Sequence, residues 1–175
     1  MDKKELRKRC LEIRKNIKNK ENKDKEIYNK IINSQEYKKS KLVLTYVSLK
    51  DEVDTIELIK YSLILGKQVA VPKCEGNIIN FYYINSIKEL KEGTFKVLEP
   101  NNNNLVTNFE NSICIVPGVY FDKENNRIGY GKGFYDKFLQ NYKGIKIGLN
   151  YKECLCDRID TDKYDVKMNK VITNW

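Results

Sequence analysis

The sequence contains no histidine. That excludes a Ser–His–Asp or Cys–His arrangement and any imidazole general base. Of the five cysteines, only Cys154 and Cys156 are close in sequence, and no second pair stands at metal-ligand spacing. A zinc site is therefore not expected. No run approaches the roughly 18 apolar residues of a membrane-spanning helix. The amino terminus is charged from Asp2 onward, which predicts no secretory leader and a cytoplasmic protein without a membrane partner. No internal repeat or interdomain linker interrupts the 175 residues, so one domain over 1–175 is expected.

What is present is charge, with an excess of one sign. Lysine and arginine exceed aspartate and glutamate to give a formal charge of +9. One reading is a nucleic-acid or nucleotide-binding module, and another is an enzyme for small polyanions. Lysines and glutamates are interspersed rather than blocked, and no RNA- or DNA-binding signature appears, which favours the second reading and no nucleic-acid partner.

The hydrophobic pattern alternates helix with strand. Leu6, Cys10, Ile13 and Ile17 make one stripe of a helix from Lys3 to about residue 19, with Lys3, Lys4 and Arg7 near its start. On the residues alone those cations read as a solvated basic face rather than a binding surface. A second helix spans about 22–34 and a further turn 36–39. Leu42–Val47 is apolar on both faces and reads as a central strand, with Glu52 in the loop at its carboxyl end. A helix from about Asp54 to Gly66 leads to a strand at 68–72, stopped by Pro72; strand–helix–strand over this length predicts a parallel pair. Ile78–Ile84 returns antiparallel through Glu75-Gly76-Asn77. Ser86-x-x-Glu89 is a capping box, and 93–104 reads as a loop with an asparagine run. Strands follow at 112–117, 145–150 and 171–173. Cys10 and Cys114 sit in apolar patterns and are expected to be buried thiols.

Between the 112–117 strand and a helix marked by Phe134, Phe138, Leu139 and Tyr142 lies the densest stretch. Gly129, Gly131 and Gly133 alternate with Tyr130 and Lys132, with Arg127 before them and Asp136 after. Glycine permits positive φ and close approach to the backbone, and a helix start attracts anions. It is neither a dinucleotide fingerprint, since position 134 is Phe, nor a P-loop, since Lys132 precedes Gly133. A tight turn would suffice for the glycines alone. Arg127, Lys132 and Asp136 favour a phosphate cradle, because a plain turn needs none of them.

Pro117-Gly118-x-x-Phe121-Asp122 followed by Arg127-Ile128-Gly129-x-Gly131-Lys132-Gly133-x-Tyr135-Asp136 resembles the signature of 5-formyltetrahydrofolate cyclo-ligases, also called 5,10-methenyltetrahydrofolate synthetases. Lys3-x-x-Leu6-Arg7, Asp51-Glu52-Val53-Asp54-Thr55, Glu99-Pro100, and Asp165 with Ile172-Thr173 extend the resemblance over nearly the whole chain. The chain departs from the pattern at Tyr164, where the family often has histidine. The resemblance implies an α/β three-layer sandwich with a mostly parallel, Rossmann-like sheet and an N-terminal helical arm. It implies ATP- and Mg²⁺-dependent cyclisation of 5-formyltetrahydrofolate, with ATP and the folate as small-molecule partners; separately, a monomer is expected. Arg127 and Lys132 would serve catalysis. Lys3, Lys4, Arg7, Arg127, Gly129, Tyr130, Gly131, Lys132, Gly133, Phe134 and Tyr135 would bind ATP. Val47, Glu52, Tyr130, Gly131, Lys132, Gly133 and Phe134 would contact the folate, and Asp136 and Asp165 would hold the metal. The other classes kept open are a non-catalytic basic nucleotide- or nucleic-acid-binding module and a sugar-phosphate isomerase-like enzyme.

Overall fold

The computed structural model describes residues 2–93 and 96–174. In chain order it begins with three helices, α1 (Lys3–Lys15), α2 (Lys20–Ile32) and α3 (Gln35–Lys39), before β1 (Leu42–Thr45), α4 (Ile56–Ile64), β2 (Gln68–Glu75) and β3 (Ile78–Ile84). The hairpin β4 (Leu90–Glu92) and β5 (Leu98–Pro100) follows. Then come β6 (Ser112–Val116), β7 (Tyr120–Asp122), β8 (Arg127–Ile128), α5 (Phe134–Asn141), β9 (Ile145–Leu149), β10 (Leu155–Cys156) and β11 (Lys170–Ile172).

Six strands form the main sheet in the order β11-β9-β6-β1-β2-β3. All neighbours are parallel except β2 and β3. β1 and β6 are buried at every position, as strands covered on both faces must be. Val43, Ile113 and Ile115 meet Ile27 and Ile31 of α2, Tyr37 of α3 and Leu58 of α4. On the opposite face Leu42, Leu44, Cys114 and Val116 meet Leu139 of α5. The expected three layers and the mostly parallel sheet are thus present.

The N-terminal arm divides. α2 packs on the main sheet, whereas α1 lies on a small second sheet in the order β10-β7-β8. This second sheet was not legible in the sequence: its strands are two or three residues long, too short for a period to show. α1 also stops at Lys15, earlier than its apolar stripe predicts. Asn16 caps its end, and Asn19 takes a left-handed conformation at φ 55° before α2, a backbone that asparagine tolerates better than most residues.

Two further expectations are corrected. Cys10 is not a free thiol; it forms a disulfide with Cys154, because α1 is laid across the turn that precedes β10. Cys114 is buried and unpaired, as expected. Pro72 does not end β2, which continues to Glu75. The parallel partner β1 runs out at Leu44, opposite Ala70, so beyond that point β2 pairs only with β3. Residues two apart in a strand point their N–H groups the same way, and Cys74 N–H points away from β3 to Glu99 Oε2 at 2.8 Å. Pro72 therefore lacks its N–H on the side where no strand waits.

The two sheets touch through Phe121, which is fully buried against Gly148 of β9 and Gly118. A Cβ on Gly148 would overlap the Phe121 ring. Gly148→Ala is expected to destabilise the fold by about 1–3 kcal/mol through overpacking, read as a lowered urea midpoint; an unchanged midpoint rules the contact out as a constraint.

Candidate active site

One cavity of about 950 Å³ opens beyond the carboxyl ends of the parallel strands, where open α/β sheets place their ligands. Tyr46 and Val47 after β1, Pro117 after β6 and the stretch 127–136 contribute its wall. Its volume is at the upper end of small-molecule sites.

The glycines of this stretch meet two separate demands of the fold. Gly131 and Gly133 have φ of 97° and 73°, a region costly for other residues. Gly129 instead makes room: a Cβ there would come within 2.8 Å of the Arg127 guanidinium. Gly118 likewise clears space for Phe121 and Arg127. Gly133 is the N-cap of α5 and supplies no side-chain cap. The first-turn N–H groups of α5 therefore remain at the cavity edge, unsatisfied within the helix.

Arg127 is buried, 7% exposed, and donates to Pro117 O at 2.8 Å and to Asp136 Oδ1 at 3.4 Å. Its guanidinium lies 5.7 Å from the centre of the Tyr135 ring. The turn before it is held by Asp122. That carboxylate accepts from the backbone N–H groups of Glu124, Asn126 and Ile159 and from the Asn126 amide, all at 2.9 Å. Burial alone would raise the Asp122 carboxyl, but these donors outweigh it and hold it below the usual range.

α1 closes the cavity from the other side. Arg7 Nε donates to Gly129 O at 2.8 Å, and Lys3 Nζ pairs with Asp165 at 2.8 Å and Asp162 at 3.7 Å. Lys3, Arg7, Val47, Glu52, residues 127–136 and Asp165 all line this one cavity. Lys4, one position on from Lys3, is exposed and lies outside the lining. Tyr164, at the departure from the family pattern, is 60% exposed at the rim.

Glu52 is 6% exposed and accepts from Leu49 N–H at 2.7 Å and from the Tyr130 hydroxyl at 3.0 Å. Burial pushes its carboxyl up, partly offset by the Leu49 donor and the charge of Arg14. The Tyr130 hydroxyl is itself pushed up to about 12 by burial and by Glu52. Arg14 was not singled out in the sequence. It stands seven residues after Arg7 and eleven after Lys3, so helical spacing puts all three on one side of α1, and that signal was available.

A buried carboxylate facing a cavity, a glycine-lined helix start and converging cations beyond the carboxyl ends of the strands are the features of an α/β enzyme. The family model of the 5-formyltetrahydrofolate cyclo-ligase family matches residues 1–174, and the chain belongs to that family. A 5-formyltetrahydrofolate cyclo-ligase from Haemophilus influenzae is 30% identical over 151 residues, 81% of this chain and 80% of its own. The mouse enzyme of the same name is 28% identical over 158 residues, 82% of this chain and 78% of its own. The structure of Aquifex aeolicus 5,10-methenyltetrahydrofolate synthetase superposes with a TM-score of 0.87 at 35% identity, covering 99% of this chain and 90% of that one. The synthetase from Mycoplasma pneumoniae gives a TM-score of 0.80 at 25% identity, covering 99% of both.

A depressed carboxylate stabilises the fold above its unfolded pKa of about 3.9, and that contribution is lost as pH falls through the lower folded value. Wild-type protein is therefore expected to lose stability on acidification below about pH 4, with Asp122 as one cause. Asp122→Asn should cost about 2–3 kcal/mol at neutral pH and show a flatter acid limb in urea unfolding. Parallel acid limbs would remove Asp122 as a cause.

Proposed function

We propose that the chain catalyses the ATP- and Mg²⁺-dependent cyclisation of 5-formyltetrahydrofolate to 5,10-methenyltetrahydrofolate, releasing ADP and phosphate. The observation that carries this is the convergence of α1 cations, the glycine stretch and Glu52 on one cavity. The cavity has a polar wall for a triphosphate and a separate buried acceptor for a heterocycle.

A formyl oxygen is a poor leaving group. Its attack on the γ-phosphorus expels ADP and leaves an imidate phosphate. N10 of the folate then adds to the activated carbon and loses its proton, and departure of phosphate closes the methenyl bridge. Little in this sequence needs a protein acid or base, which suits a site without histidine. Positioning and neutralisation of moving charge do most of the work.

Lys3, Arg7, Lys132 and the first-turn amides of α5 bind the phosphates in this reading. Lys132, exposed in the loop over the cavity, neutralises charge on the transferred group. Arg127 supports it from behind by fixing Asp136 and the loop. Glu52, Val47 and Tyr130 receive the pterin.

Among the described residues, no group of three or more histidine, cysteine or acidic side chains gathers as a protein cage for a metal. Asp136 and Asp165 nevertheless line the same cavity, each now matched by a cation. One or two carboxylates together with substrate phosphates fit Mg²⁺. Mg²⁺ bound there supplies further neutralisation of phosphate charge.

Mixing the protein with 5-formyltetrahydrofolate and MgATP is expected to raise the absorbance of the methenyl product, with no rise when ATP is omitted. Folded protein that forms no product refutes the proposal. Lys132→Ala is expected to lower kcat by ~10²–10³ while the urea midpoint stays unchanged. An unaltered kcat/KM for ATP would remove Lys132 from the machinery.

A further inference from the structure

Behind Glu52 the structure holds a relay that begins outside the cavity. Arg14 is 3% exposed in α1. Its Nη2 donates to the Tyr130 hydroxyl at 2.7 Å, its Nη1 to Gly118 O at 3.2 Å, and its guanidinium lies 5.8 Å from the Tyr130 ring centre. Tyr130 in turn donates to Glu52 Oε2 at 3.0 Å. Arg14 is absent from the cavity lining.

The direction of this relay is fixed by chemistry. A guanidinium has donors only, so the tyrosine oxygen must accept from Arg14. The single phenolic proton is then committed to Glu52. Oε1 of Glu52 already accepts from Leu49 N–H. Each carboxylate oxygen keeps a further lone pair, and Glu52 lines the cavity. What the relay leaves to a ligand is therefore acceptor capacity alone.

We propose that Arg14 is a positioning residue for substrate recognition, acting through Tyr130 to fix the Glu52 carboxylate as the acceptor for the N–H edge of the pterin; this rests on the function proposed above. Stability alone does not account for Arg14. Burying a cation is expensive, and its Nε lacks a hydrogen-bond acceptor among the described residues. Replacing a buried charge together with its partner by apolar side chains is often neutral for stability, whereas removing the charge alone is costly, so kinetics rather than stability must read the role. The surroundings of Glu52 agree with the role. Arg14 on α1 and Lys20 on α2 lower its carboxyl. Asp24 on α2 is turned to the Tyr151 hydroxyl, while Tyr46 after β1, Tyr130 and Tyr135 are neutral neighbours. Among the described residues, Arg14 is the cation bridged to the Glu52 carboxylate by a single hydroxyl, whereas Lys20, through Asp24 and Tyr151, reaches only the Glu52 backbone oxygen.

The test is steady-state kinetics on the full chain with Arg14→Met, Arg14→Lys and Tyr130→Phe. Arg14→Met is expected to raise KM for 5-formyltetrahydrofolate on the order of tenfold to a hundredfold, the cost of a lost charge-assisted hydrogen bond, with KM for ATP within about twofold. The acid limb of kcat/KM for the folate should move to higher pH, because the buried carboxylate protonates more readily without its cation. Arg14→Lys should return the limb towards wild type. Tyr130→Phe changes a ring that is 44% exposed and leaves the core intact, so it decides the matter even where Arg14→Met does not fold. It should raise the folate KM by a similar factor, and adding Arg14→Met to it should change little more. An unmoved acid limb in Arg14→Met overturns the inference, as does equal loss for both substrates with a lower unfolding midpoint. An unchanged folate KM in Tyr130→Phe also overturns it. Wild-type protein that neither forms the methenyl product nor binds 5-formyltetrahydrofolate removes the proposed function and this inference together. Active wild type with unshifted variants removes the inference alone.

Discussion

The site depends on a buried guanidinium that joins three parts of the chain. Arg127 leaves β8, reaches the carbonyl of Pro117 just beyond β6, and ends against Asp136 in the first turn of α5. A sheet edge, a loop and a helix start are thereby held by one planar, always-charged group. Gly118 and Gly129 give it space, because side chains there would occupy the volume of Arg127 and Phe121. Asp122 fixes the turn that delivers it. The glycines of this stretch therefore serve two ends. Two, Gly131 and Gly133, give the backbone positive φ, and two, Gly118 and Gly129, clear space for Phe121 and Arg127.

Charge within the cavity is arranged as exchangeable pairs. Lys3 sits on Asp165, and Arg127 on Asp136. Such pairs reduce the uncompensated field of a strongly charged site, since these four groups are matched before any ligand arrives. In the proposed reaction, phosphate oxygens would compete for the cations and a divalent ion for the carboxylates. The excess positive charge of the chain favours the approach of anionic ligands from solution. α1 is the element that makes this possible. It carries Lys3 and Arg7 into the cavity and Arg14 behind it, while its apolar side and Cys10 seat it on the small sheet.

Hydrophobic period was enough to read the helices, the main parallel strands and the antiparallel return of β3, because burial on two faces writes long apolar runs. The glycine stretch and Glu52 could be placed from strand–loop–helix order. The short strands β7, β8 and β10 carry no period, and the continuation of β2 past Pro72 depends on which neighbour is missing. Neither is a local property. The bond between Cys10 and Cys154 spans 144 positions and follows from where α1 lands.

Composition and local order determined the alternation of helix and strand, the absence of imidazole chemistry and the glycine stretch with its flanking charges, because these follow from residue type and short-range spacing. Tertiary packing alone decided where each group stands and which partner it meets. Arg127 became a buried brace, Lys4 was left outside, and Arg14 was drawn inward to Tyr130 and Glu52. The reason is that a side chain's partner is chosen by distance across the fold, and neither period nor spacing encodes the distance between separate elements, whether 9 positions apart, as Arg127 and Asp136, or 116, as Arg14 and Tyr130.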